Sequence, residues 1–261
     1  MPDWLNACLL GLIEGVTEFL PISSTGHLLL AEQWLPRESD LFNVVIQCGA
    51  VLAVAIVFIQ RIKHLGLHWK EPEARDYGLK LAVAFLITGV GGVVLKLLKF
   101  ELPEKATPVA LALVIGGIFF LAVEKWIRHR PLGLEVTWRI AAAVGCAQLV
   151  AAIFPGASRS GATILVALLL GLDRKSATEF SFLLGIPTLL SAAALQVAQA
   201  ARHGELGSVP WGMLALSTLV AAITAFIVVK WLLKFVQTHT FVGFAWYRIA
   251  LGLLVLLIAF R

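Results

Sequence analysis

Charge is what this chain lacks most. Only 14% of its 261 residues are Asp, Glu, Lys or Arg, against roughly a quarter in soluble domains. Such a chain cannot clothe a globule in charge, which excludes a water-soluble fold and makes lipid its solvent. Cysteine is scarce too. Cys8, Cys48 and Cys146 lie in apolar runs without CxxC spacing, so no disulfide framework is encoded, and they read as small buried hydrophobes. The N-terminus "MPDWLNACLLGLIEG" has neither a basic n-region nor a small-residue cleavage site, so the first apolar stretch is expected to stay in the mature protein. No basic stripe interleaved with aromatics occurs. The net charge of +5 is therefore attributed to Lys and Arg retained in cytoplasmic loops, and no nucleic-acid partner is expected.

What is present is hydrocarbon: 59% hydrophobic residues and a mean hydropathy of +0.90. A bilayer core about 30 Å thick needs about 20 apolar residues per helix. Six stretches meet that length, roughly 42–60, 79–98, 107–126, 177–200, 211–235 and 242–260. Two others, 5–35 and 138–171, are too long for one straight span and are interrupted at Pro21–Ser24 and Pro155–Ser160. Each half of an interrupted stretch is too short to cross comfortably at 1.5 Å per residue, so each stretch reads as a re-entrant hairpin. Irregular backbone at that depth is tolerated only against protein or a wet cavity.

Aligning Gly11 with Gly145, an offset of 134, places Glu14 on Gln148, Pro21 on Pro155 and Ser24 on Ser158. Three spans follow each interrupted segment, so the second half is inverted relative to the first. The expected fold is an all-α polytopic membrane protein with six transmembrane helices plus two re-entrant helix hairpins arranged as inverted repeats. It forms a single integral membrane domain, repeat one at about 1–126 and repeat two at about 138–261. Interrupted segments at corresponding positions mark binding sites in repeat-built membrane folds. In this arrangement one side carries Arg61, Lys63, Lys70, Arg75, Lys125, Arg128, Arg130, Arg174, Lys175 and Lys234. The other carries Arg37, Lys99, Lys105, Arg202 and Arg261. The richer side is cytoplasmic by the positive-inside rule, which puts both termini outside and brings the hairpin tips at Ser24 and Ser158 together near the midplane.

The breaks concentrate the polar residues. "EGVTEFLPISSTGH" spans Glu14 to His27. Glu14 and Glu18, one turn apart on one helix face, need a cation, a metal or a shared proton, or structural Lys or Arg partners. Pro21 is expected to end the first helix, and Ser23 and Ser24 to cap a new one from Thr25, with His27 one turn inside. The second break, "PGASRSGAT", runs from Pro155 to Thr163. Gly156 and Gly161 allow close backbone approach, Ser158 caps the next helix, and Ser160 and Thr163 add hydroxyls. Arg159 has the fork that matches phosphate; neutralisation of Glu14 or Glu18 is the alternative, and the two are compatible in the empty protein. Two helix N-termini facing each other with Arg159 make an anion cradle.

Together "EGVTEFLPISSTGH" and "PGASRSGAT" resemble the hallmarks of the undecaprenyl-diphosphate phosphatase family, the bacitracin-resistance membrane proteins. These are an E-x-x-x-E stretch followed by a serine–histidine segment, and a PGxSRSxxT segment in the second half. The order of hydrophobic segments is similar over essentially the whole chain. The resemblance implies hydrolysis of undecaprenyl diphosphate, the C55 lipid, to its monophosphate and inorganic phosphate. It implies recycling of that carrier for cell-wall synthesis, bacitracin resistance, and residence in a bacterial inner membrane with the site opening to the periplasmic face. Its partners are then the lipid substrate and bilayer lipid; a homodimer is compatible with it.

On that reading Ser24, His27, Glu18 and Arg159 are the catalytic candidates. Ser24 is the favoured nucleophile, with His27 or water as alternatives, and His27 is the expected general base or acid. Glu14, Ser23, Thr25, Gly156, Ser158, Ser160 and Thr163 contact substrate, and Glu14 and Glu18 hold Mg2+ or Ca2+ or orient His27. A transporter or lipid flippase is the second reading, since broken helices and midplane ionisable groups serve transport as well. A structural subunit is the third; Gly89, Gly91, Gly92, Gly116 and Gly117 suit close helix packing but leave the polar breaks unexplained. The tryptophans, near span ends, form an interfacial belt. Glu179 and Arg248 read as snorkelling residues or as partners of each other.

Overall fold

The long apolar runs form continuous helices, and the two polar breaks interrupt the chain where expected. The structure, a computed structural model, describes residues 2–31, 33–98 and 106–259; Lys99, Lys105 and Arg261 of the loop-charge argument lie outside the described residues. In chain order the helices are α1 (Asp3–Thr17), α2 (Ser24–Ala31), α3 (Asp40–Val57), α4 (Ile59–Leu67), α5 (Pro72–Leu97), α6 (Ala106–Ile127), α7 (Trp138–Ile153), α8 (Arg159–Leu169), α9 (Arg174–His203), α10 (Trp211–Phe235) and α11 (Val242–Ala259). Among the described residues α3, α5, α6, α9, α10 and α11 are long and apolar enough to cross a membrane. They are the six expected spans, and the chain is a polytopic all-helical membrane protein.

Three local expectations are corrected. α1 stops at Thr17 rather than at Pro21; the Thr17 hydroxyl bonds back to Ile13 O at 2.7 Å, competing with the helical ladder a turn before the proline. The segment "HWKEPEARD" is only partly a loop, because Pro72 sits in the first turn of α5, where its missing N–H has no cost. α4 is an additional short helix with no buried residue. All eight tryptophans are exposed, as an interfacial belt requires, but Cys146 is exposed too rather than buried. Gly116 and Gly117 do face α11 closely, whereas Gly89 and Gly92 meet nothing.

Packing relates the two halves. α1 lies on α10 and α10 on α3, as α7 lies on α5 and α5 on α9; α3 meets α9 and α6 meets α11. The same relation holds residue by residue. A Cβ on Gly26 would abut Leu113, and one on Gly161 would abut Arg248; one on Gly117 would strike Ala245 O, and one on Gly252 would strike Ala110 O. Each pair maps onto the other by 135 positions (Gly26 to Gly161, Leu113 to Arg248). The offset of 134 at Gly11 and Gly145 therefore grows by one inside the breaks. The Ser24–Ser158 match is corrected accordingly. Ser23 and Ser158 correspond, both at positive φ (72° and 68°) and both capping, with Gly26 N on Ser23 Oγ at 3.3 Å and Gly161 N on Ser158 Oγ at 3.1 Å.

Two polar clamps hold the bundle. Glu124 of α6 is buried, takes Arg174 in a bidentate pair and accepts Phe241 N at 2.8 Å, tying α6, α9 and the start of α11 together. Arg248 is fully buried. It neither snorkels nor pairs with Glu179, whose partner is Lys175 at 3.9 Å. Its guanidinium donates to Pro21 O (3.1 Å) in the first break and to Ala157 O (2.9 Å) and Gly156 O (3.3 Å) in the second. Ala112 O and Leu113 O of α6 accept as well. One side chain thus ties both non-helical segments to α6, satisfying carbonyls that lipid cannot.

Candidate active site

The two breaks meet around a cavity of about 230 Å³. Glu18, Ser23, Ser24 and Thr25 line it from the first break, and Gly156, Ser158 and Arg159 from the second. The positive φ of Ser23 and Ser158 is uncommon for residues with a side chain and costs about 1–3 kcal/mol each. That backbone reversal makes α2 and α8 start at the cavity, with their positive dipole ends there; one first-turn N–H of each helix is taken by its serine cap.

Glu18 is the junction. Its Oε2 accepts Ser24 Oγ–H at 2.8 Å and its Oε1 accepts Arg159 Nη2 at 3.4 Å. Arg159 is otherwise held by Ser181 O at 3.3 Å and by the face of Phe19, 5.1 Å from its centroid. Its Nε–H is buried without an acceptor among the described residues. A guanidinium has five donors; here two make long bonds, so the group is aimed and under-committed. Gly185 of α9 provides its space, since a Cβ there would collide with the guanidinium.

Other predicted residues lie around this centre. Ser160 and Thr163 are fully buried, and line no part of the cavity. Ser160 Oγ donates to Leu20 O at 3.0 Å, and Thr163 Oγ1 pairs with Ser181 Oγ at 2.6 Å, so they anchor α8 to the first break and to α9. Glu14 lies one turn before Glu18, fully buried; neither of its carboxylate oxygens meets a hydrogen-bond donor among the described residues. His27 does not line the cavity. Its Nδ1 lies 2.7 Å from Ser23 O and its Nε2 2.7 Å from Tyr247 OH. A carbonyl only accepts, so Nδ1 carries the proton.

Four polar cavity residues were not singled out by sequence as site residues: Gln47, Thr88, Gln148 and Thr188. A signal existed for the glutamines, because amides inside apolar helices are expensive and mark function. At the offset of 134 residues, Gln148 aligns with Glu14. Thr88 Oγ1 donates to the α5 and α7 backbone at Ala84 O and Gly145 O, both 3.0 Å. It therefore accepts Gln148 Nε2 at 2.8 Å, which fixes the amide orientation. Gln148 Oε1 is buried without a donor among the described residues, an acceptor held at the cavity.

Among the described residues no three His, Cys, Asp or Glu side chains group to hold a metal. Glu14 and Glu18 are the carboxylates that would hold a hard divalent cation; Glu14 is fully buried and does not line the cavity. They are oxygen donors one turn apart, Glu14 lacks any donor partner, and Mg2+ is commonly held by one or two carboxylates plus substrate phosphates.

An all-helical membrane protein with opposed helix starts, a fixed guanidinium and a hydroxyl bonded to a carboxylate has the parts of a phosphate-binding membrane enzyme. The family model described as "Bacitracin resistance protein BacA" matches residues 7–254, and the chain belongs to that family. It is 54% identical over 255 residues to the "Undecaprenyl-diphosphatase" of Rhizobium etli (strain CFN 42), covering 97% of this chain and 96% of the relative. It is 53% identical over 256 residues to the protein of that name in Rhizobium leguminosarum bv. trifolii, covering 97% and 96%. With the Xylella fastidiosa protein of the same name it shares 49% over 257 residues, 98% of each chain.

Proposed function

We propose that this protein hydrolyses undecaprenyl diphosphate to undecaprenyl phosphate and inorganic phosphate, recycling the carrier for cell-wall synthesis and conferring bacitracin resistance. The observation that carries the chemistry is the Ser24–Glu18–Arg159 chain across the two breaks. The family and the names of its relatives supply the substrate.

The diphosphate lies between the starts of α2 and α8, its terminal phosphoryl group on the Arg159 fork. Phosphoryl transfer is mainly positioning and charge stabilisation, and Arg159 with the two helix starts supplies both. Ser24 Oγ attacks the terminal phosphorus as its proton passes to Glu18. The bond from that phosphorus to the bridging oxygen breaks, and undecaprenyl phosphate departs with the proton from Glu18. Water then cleaves the phosphoserine, giving its proton to Glu18, with Gln148 Oε1 as acceptor for the second hydrogen of that water. Glu18 returns that proton to the departing Ser24 oxygen, inorganic phosphate leaves, and both Ser24 and Glu18 are restored. A divalent cation between Glu14 and Glu18 would offset phosphate charge. Glu18 replaces His27 as the base in this scheme, because His27 is bonded to Ser23 O and Tyr247. His27 positions the first turn of α2 through Ser23.

The same reading makes the halves inverted repeats whose breaks are the tips of two re-entrant hairpins. The site then opens to the periplasmic face of the inner membrane, with both termini outside. Cysteines placed at Arg37 and Lys70 test this: labelling of the Arg37 position only from the cytoplasm would reverse it. For the reaction, purified protein in detergent is given polyprenyl diphosphate and phosphate release is measured. Release that disappears in Arg159→Ala supports the enzyme; lipid translocation in vesicles without phosphate release would support the transport reading.

A further inference from the structure

A lipid substrate needs a place for its chain as well as its phosphates. A second cavity of about 510 Å³ runs along α6 beside the hairpin of α7 and α8. Leu111, Ile115 and Phe119 of α6 form one wall, and Val150 of α7 and Phe154 just after it form part of the other. All five are exposed, so the groove opens sideways, where a membrane supplies lipid. The last turn of α7 is a lip shared with the polar cavity. Ala151 and Ala152 face the diphosphate side, and Val150 and Phe154 face the groove. α7 lies against α5 and α8 against α6.

The relation between the halves explains why this groove is open. Ala112 and Ala162 both line it. Their counterparts, 135 positions away, are Tyr247 and His27. There the two rings stack, centroids 5.6 Å apart, and bond through Tyr247 OH and His27 Nε2 at 2.7 Å. A scaffold with two equivalent halves supplies two equivalent spaces. Two aromatic rings fill one, and two methyl groups leave the other free.

We infer that the α6–α7–α8 groove holds the isoprenoid chain of the substrate, so that the lipid crosses the last turn of α7 with its diphosphate in the polar cavity. The inference rests on the polyprenyl diphosphate reading given above. Bilayer chains are as apolar as the groove, so leaving lipid yields little hydrophobic gain; what the groove adds is shape and dispersion contacts. Filling it therefore raises KM for the long-chain substrate without touching the reacting groups.

The test uses a polyprenyl diphosphate bearing a diazirine on an isoprene unit near the phosphates, irradiated with the purified full-length protein in detergent. Label is expected on residues 111–119 and 150–154, and excess unlabelled polyprenyl diphosphate should remove it. Ala162→Phe, and independently Ala112→Phe, should weaken labelling and raise KM roughly tenfold, a change of about 1.4 kcal/mol. Ala82→Phe, in a separate apolar groove lined by Ile62, Phe85 and Leu183, should change neither. Label concentrated in that separate groove would overturn the inference. So would α6 label that survives competition, which would mark general lipid, or folded Ala162→Phe and Ala112→Phe proteins with unchanged labelling and KM. Competed α6 label in a protein that releases no phosphate would leave the groove standing and remove the hydrolytic reading instead.

Discussion

Ser24 Oγ donates to Glu18 Oε2 at 2.8 Å, across the six residues that separate α1 from α2. The hydroxyl that would attack phosphorus is thus already on the carboxylate that would take its proton. Glu18→Gln keeps the shape and removes the base, and should lower kcat by about 10²–10⁴-fold. Ser24→Ala should lower it at least as far while substrate still binds. Near-normal turnover in Ser24→Ala would make water the attacking group.

Arg159 reaches the site because Gly185 leaves it room. Arg159→Lys keeps the charge and loses the fork; kcat/KM is expected to fall roughly 10²-fold, within the range for removal of one transition-state donor. Gly185→Ala should move kcat/KM in the same direction by displacing the guanidinium, with normal yield of folded protein. Unchanged kinetics in Gly185→Ala would show that Arg159 does not act from this position.

Gln148 is oriented by Thr88. Gln148→Leu should slow breakdown of the phosphoenzyme more than its formation, seen as a burst of undecaprenyl phosphate followed by slow turnover. Thr88→Val, which frees the amide to rotate, should give a smaller change of the same kind. Loss of the burst itself would place Gln148 in the first transfer instead.

Arg248 satisfies carbonyls in both breaks. Arg248→Met leaves those acceptors unpaired, each at about 1–3 kcal/mol. The thermal midpoint in detergent should drop and the amides of residues 20, 22 and 156–158 should lose exchange protection together. Loss of protection at only one break would mean that Arg248 does not couple them.

The spans were legible because length and hydropathy alone decide them, and the two breaks because Pro21 and Pro155 sit among hydroxyls and charges. Glu18, Ser24 and Arg159 were legible as a cluster for the same reason. What sequence could not supply is direction. His27 and Ser24 share α2, yet one turns to Tyr247 and the other to Glu18. The one-residue growth of the repeat offset inside the breaks was invisible to alignment of Pro21 with Pro155, so Ser23 rather than Ser24 corresponds to Ser158. Arg248 carried a usable signal, an arginine within an apolar helix, but its partners are backbone carbonyls of both breaks, which no side-chain pattern announces. Gly185 offered none, because its importance is only the volume beside Arg159.

The most direct measurement is rapid-quench capture of enzyme-bound phosphate, using undecaprenyl diphosphate labelled at its terminal phosphate and mapping the modified peptide. The account predicts acid-stable label on Ser24, formed before inorganic phosphate appears and absent from Ser24→Ala. Acid-labile label on His27, or inorganic phosphate released from the first turnover with no labelled protein, would contradict it.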